Sequence, residues 1–228
     1  MRTTRMLIAA ALLLAAGGVQ AASAQAGDVP TVAVMDFTGF MLGEGGNSVN
    51  LGKAVSAMLV TEFSGRDGLE VVERANLNDL LQEQRLALSG RVDESSAIEV
   101  GKLLGAQYML YGVVTSLGEM LRMDIRAVDV ETSEIVTVMK KSDVTTALLN
   151  LLVEMADDFT GELNLARPSE RPEVPEMPVS AIIEFSRAVD YEDKEEVDSA
   201  IRHYEATLEV YPSHQGAQRA LDRLRGGA

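Results

Sequence analysis

Between Leu69 and Leu117 the chain reads LEVVERANLNDLLQEQRLALSGRVDESSAIEVGKLLGAQYMLYGVVTSL, and few folds accommodate this order of patterns. An extended apolar segment comes first, closed by Glu73 and Arg74. A helical stripe of Leu77, Leu80, Leu81 and Leu88 follows, with Asn76 as its expected cap and Gly90 as its expected end. Asp93 is placed to cap a second helix carrying Ala97, Ile98, Gly101 and Leu104, which stops at Gly105. The Gly101 and Gly105 spacing puts two small residues on one helix face, so that the helix can lie close on a sheet. A second extended segment starts at Tyr108. Two strands joined through two helices make a β-α-α-β unit, and the rest of the chain is read outward from it.

From Tyr108 three strands are expected in succession, over 108–117, 119–130 and 135–143, with turns at Gly118 and at Glu131, Thr132 and Ser133. The middle strand sets Leu121, Met123, Ile125 and Ala127 against Arg122, Asp124 and Arg126, the alternation of a sheet with one buried face. A helix over 145–164 presents Leu148, Leu152, Met155, Ala156 and Phe159 to that sheet. Upstream, Thr31 to Phe37 is a short apolar strand suited to the middle of the sheet. A glycine-rich loop over 38–50 leads from it to a helix bearing Leu51, Val55, Met58, Leu59 and Phe63. Gly52 and Lys53 imitate the end of a phosphate-binding motif, but Asn47 stands where its first glycine belongs and Ala54 where its magnesium-binding hydroxyl belongs. The expected fold class is α/β, a mixed sheet flanked by helices in the order β-α-β-α-α-β-β-β-α.

The motifs V-V-E-R, E-Q-x-x-x-x-S-G and G-K-L-L-G-A, followed by an aromatic-rich strand, resemble the periplasmic domain of the curli secretion-channel (CsgG-like) family, whose domain is related to one at the start of TolB-like proteins. The resemblance extends over residues 31–164. Arg126, Asp129 and Thr132 fit a further family pattern, in which Ser133 replaces the usual glycine. It implies a non-enzymatic envelope role in oligomerisation, docking, secretion or assembly. Within the pattern, Glu73, Arg74, Glu83 and Arg85 either brace the strand end against the following helix or line a subunit contact.

The first 26 residues read as a cleaved signal peptide. Arg2 and Arg5 precede an apolar run that is too short for a membrane span, and small residues lead to Ala24, Gln25 and Ala26. The chain has no cysteine, which speaks against ordinary lipoprotein anchoring and removes thiol chemistry, and the expected location is the periplasm without an integral span. A net charge of −15 argues against nucleic acid. The two histidines offer little material for histidine chemistry, and no cofactor fingerprint, metal pattern or nucleophile arrangement is present. The enzyme expectation is therefore negative. The alternative class is an exported ligand-binding protein or enzyme using the glycine loop at 39–46.

The expected α/β domain covers 27–166. Residues 167–178 hold four of the six prolines, and a linker is expected over 167–179. Residues 180–228 read as helices only, with Ala188, Tyr191, Ala200, Tyr204 and Pro212 spaced like one tetratricopeptide repeat of about 34 residues. A lone repeat buries little, so it must lean on the main domain, on a copy of itself or on a partner. Arg187, Val197, Ile201, Arg202, Tyr204 and Leu208 are the candidate partner-binding residues, with His203 beside them. The partners expected are proteins of the cell envelope, a second copy of the chain included.

Overall fold

The computed structural model describes residues 29–42, 48–83, 93–166 and 174–226. A five-stranded mixed sheet lies at its centre, in the order β4-β1-β5-β6-β7. Strand β1 (Thr31–Val34) runs parallel to both β4 (Glu70–Val71) and β5 (Tyr108–Leu117). Strands β5, β6 (Met120–Asp129) and β7 (Ile135–Val144) form an antiparallel meander. A small hairpin, β2 (Met41–Leu42) with β3 (Ser48–Val49), stands apart from the sheet.

Successive side chains of a strand point to opposite faces, and both faces of β1 and of the first half of β5, up to Tyr111, are covered. Val32, Val34, Leu110 and Val114 enter one core, with helix α1 (Leu51–Phe63) and helix α4 (Leu148–Glu162). Ala33, Met35, Met109 and Tyr111 enter the other, with α2 (Arg74–Glu83) and α3 (Glu94–Leu104). That double burial is why these strands read as continuous apolar runs while β6 alternates.

Helix α3 begins and ends where its sequence says. The Asp93 carboxylate accepts from the Ser96 N–H at 2.9 Å and the Ser96 hydroxyl closes a capping box, which holds the Asp93 pKa down at about 2. Gly105 ends the helix at φ 67°, a conformation that a side chain disfavours. Gly105 is therefore a cap and not half of a packing face. Gly101 alone packs, since a Cβ there would lie 2.5 Å from Met109 Cγ. Helix α2 starts at Arg74, two residues before the expected cap at Asn76, so Arg74 belongs to a helix and not to a strand end. Its expected end at Gly90 falls outside the described residues.

Three helices complete the chain: α5 (Val179–Asp193), α6 (Val197–Val210) and α7 (Gln215–Gly226). They lean on the α/β layer. Helices α5 and α7 pack on α1, and Ile182, Phe185, Ala188, Tyr204, Ala217 and Leu221 belong to the same core as α1, α4 and the sheet. Met177, within the stretch expected as a linker, is fully buried, and its N–H donates to the Thr146 carbonyl at 2.8 Å.

Candidate functional site

Where the helical unit meets the α/β layer, four elements bring charged side chains together. The Arg74 guanidinium reaches Asp36, just beyond β1, through Nη1. Its Nη2 donates to both carboxylate oxygens of Asp193, the last residue of α5, at 3.1 and 3.0 Å. Lys53 on α1 adds a contact to Asp193 at 2.8 Å and one to Asp190 at 3.6 Å. Asn78, one turn along α2, donates to Asp193 at 3.0 Å.

The side chains of Arg74 and Asp193 are 15% and 11% exposed. Burial pulls the Arg74 pKa down, but Asp36 and Asp193 outweigh it and the net shift is upward. Burial likewise pushes Asp193 up, and Arg74 and Lys53 more than reverse it, so this carboxylate titrates below its usual range. Both groups are held charged, and the cluster ties the end of α5 to α1, α2 and β1.

Beside this cluster lies a cleft of about 550 Å³ between α1, α2, α5 and α7. Val60, Phe185 and Val189 contribute apolar lining, and Glu73, Arg219 and Arg223 contribute charge. Arg223 is paired with Glu192 at 2.5 Å, and Glu192 also accepts from the Tyr204 hydroxyl at 2.5 Å. Burial, followed by the Glu192 charge, raises the Tyr204 pKa, so its proton stays on oxygen. Arg223, Glu192 and Tyr204 are thus engaged with one another within the cleft.

The glycine loop carries structural work at both ends. Gly52 N–H donates to the Gly39 carbonyl at 3.0 Å, and a Cβ on Gly52 would sit 1.9 Å from the Phe37 carbonyl oxygen. Ser56 fastens the same junction, accepting from Phe37 N–H at 2.9 Å and contacting the Met35 carbonyl at 2.9 Å. Gly52 lets α1 approach β1, and Lys53 points to Asp193 rather than to a phosphate. Residues 43–47 of this loop lie outside the described residues.

The sequence-derived candidates are scattered by the fold. Arg74 braces, while Glu73 is exposed beside the cleft. The Glu83 side chain and Arg85 fall outside the described residues. Arg187 is half-buried and pairs with Glu184 at 2.6 Å. His203 Nδ1 lies 2.6 Å from the other oxygen of Glu184, and its ring stacks on Tyr191 at 5.1 Å. Tyr204 is 2% exposed and packs on Phe185, so it holds the helices together instead of facing a partner. Ile201 and Leu208 are half-buried against the core. Val197 and Arg202 are exposed, the latter donating to Ser199 at 3.0 Å.

Two buried polar features had no sequence signal. Arg66, just after α1, donates to Asp157 of α4 at 2.5 Å and to Glu62 at 2.8 Å. His214 is 3% exposed, stacks on Phe185 with ring centroids 4.3 Å apart, and accepts from the Ala217 N–H at 3.0 Å.

The architecture is that of an α/β layer with a helical unit docked on one face. The family model described as "Curli production assembly/transport component CsgG" matches residues 15–123, ending within β6. Solved structures with similarity include the LpoB C-terminal domain from Salmonella enterica, at 18% identity and a TM-score of 0.40, covering 51% of this chain and 84% of that one. TolB from Acinetobacter baumannii follows at 10% identity and a TM-score of 0.40, with 59% and 28% covered. The PelC dodecamer from Paraburkholderia phytofirmans has 10% identity and a TM-score of 0.34, with 61% and 89% covered. No curated protein matches the chain. Among the described residues no helix is long and apolar enough to cross a membrane.

Proposed function

We propose that this chain is an exported, non-enzymatic adaptor or assembly protein of the bacterial cell envelope, acting in the periplasm after signal cleavage. The observation that carries the reading is the family-model match over 15–123, to a family described by assembly and transport. The docked helical unit is consistent with it. Its hairpin α5–α6 has the length of one tetratricopeptide-like repeat, and Arg74 and Lys53 anchor its turn to the α/β layer. Such anchoring holds a helix surface in a fixed orientation, and preorganisation lowers the entropic cost of binding. The surface left outward is that of α6 around Val197 and Arg202.

Two measurements test this. Periplasmic extraction of the producing cell, with N-terminal sequencing, is expected to give a chain starting near Gly27. An uncleaved chain recovered with the cytoplasm overturns the location. A photo-crosslinking residue at Arg202 or Val197, installed in the same cell, is expected to give a discrete envelope-protein adduct. No adduct from either position overturns the adaptor role.

A further inference from the structure

The second face of the sheet is only half covered. Helices α2 and α3 lie over Met109, Tyr111, Val128 and Val130. Beyond Tyr111 the same face continues as Val113, Thr115 and Leu117 on β5, matched in register by Asp124, Arg122 and Met120 on β6, then by Lys140, Ser142 and Val144 on β7. Arg126 and Val138 complete it at the covered end. Val113, Leu117, Met120, Val138 and Val144 are 46%, 81%, 49%, 45% and 39% exposed. One face thus holds five of the large apolar side chains the molecule leaves in water, and contiguous patches of this kind mark interaction surfaces.

Its charge is opposite to that of the molecule. Asp124, the acid of this face, is engaged by Arg122 at 2.7 and 2.9 Å. Arg126 and Lys140 are exposed, and neither is in an ion pair with a described residue. The whole chain, this cationic, apolar face included, carries 35 acidic against 20 basic side chains.

We propose that this open face of β5–β7 binds an acidic surface of a second copy of the chain, so that copies associate head to tail. Complementary charge favours that occupant, because a copy displays on its remaining surface what this face lacks. A two-fold face-to-face dimer would instead set one net-positive face against another. The complement therefore lies elsewhere on the molecule, and such a contact closes into a ring or runs on. The turn between α5 and α6 is that complement. Glu195, Glu196 and Asp198 are exposed there without an ion pair to a described residue, and Val197 between them is 44% exposed. It supplies acids for Arg126 and Lys140 and an apolar side chain for the valine-rich floor.

The inference rests on the assembly reading, and its test separates the two. Light scattering after size exclusion is applied to the mature chain, to Arg126→Glu/Lys140→Glu, to Glu195→Lys/Glu196→Lys, and to an equimolar mixture of these two variants. All changes are on exposed side chains, and circular dichroism melting verifies each fold. Support is assembly of the wild type that weakens with salt, loss of at least about tenfold in association for each variant alone, and recovery in the mixture. Wild-type assembly that the sheet-face variant leaves unchanged overturns the interface while the assembly reading stands. Loss in the sheet-face variant without recovery in the mixture overturns the turn as the complement. A wild type monomeric at every concentration overturns the whole inference, and the crosslink at Arg202 then decides the adaptor reading by itself.

Discussion

Replacing Arg74 by methionine keeps most of the side-chain volume and removes the charge that holds Asp36 and Asp193. Breaking a fully buried pair from one side costs about 3–5 kcal/mol. Here Arg74 is 15% exposed, and Asp193 keeps Lys53 at 2.8 Å, so the loss belongs below that range, at about 2–3 kcal/mol. At about 2–4 °C per kcal/mol for a chain of this size, the melting temperature should fall by about 5–10 °C. Urea unfolding of the mature chain at pH 7, followed by circular dichroism, measures the loss. The cycle with Asp193→Asn should give a coupling of about 1–2 kcal/mol. The sign with pH follows from the lowered Asp193 pKa: its contribution is present above the unfolded value of about 3.9 and is lost as pH falls through the folded one. The deficit of Arg74→Met should therefore shrink below pH of about 4. A loss under about 0.5 kcal/mol, or no coupling to Asp193, refutes the view that this cluster fastens the helical unit.

Burial lowers the His214 pKa to about 4, so stability should fall as pH drops from about 6.5 to 4, by up to about 3 kcal/mol, and His214→Asn should flatten that slope in urea titrations while keeping a cap acceptor. Gly52→Ala drives a Cβ into the Phe37 carbonyl and should destabilise by about 3 kcal/mol or more, read as a drop in melting temperature or loss of soluble protein. Ser133→Gly relieves a φ of 62° and should raise stability by about 0.5 kcal/mol after the entropy of the added glycine is subtracted, measured by urea midpoint at constant slope.

The meander was legible because its signals are local. The first strand is found over Tyr108–Leu117 as expected, and Met120–Asp129 lies one residue inside the expected bounds at each end. Period-two alternation and the turns at Gly118 and Ser133 fix those limits within a few residues of chain. The Asp93 and Gly105 caps were legible for the same reason. The charge cluster was not, because Arg74 meets Asp36 across 38 residues and Asp193 across 119, and nothing in either neighbourhood marks the partner. The sequence reading offered Arg74 as bracing a strand end against the following helix; in the fold it starts that helix and reaches instead to Asp36 and to α5.

The docked helices show what a sequence reading of repeats leaves out. Small and aromatic residues at repeat spacing account for Ala188, Ala200 and Tyr204, which pack within the helical unit. They do not account for Met177, Ile182 and Phe185, each no more than 2% exposed. A two-helix hairpin buries one stripe per helix, so apolar residues in excess of that stripe must be covered by something outside it. Here α1 and its neighbours cover them, and ~25 cal/mol per Å² of buried apolar surface makes removal of α5–α7 costly to the α/β layer as well. Truncation after the linker therefore tests stability and partner binding together. Substitutions at exposed Val197 and Arg202 are needed to separate the two.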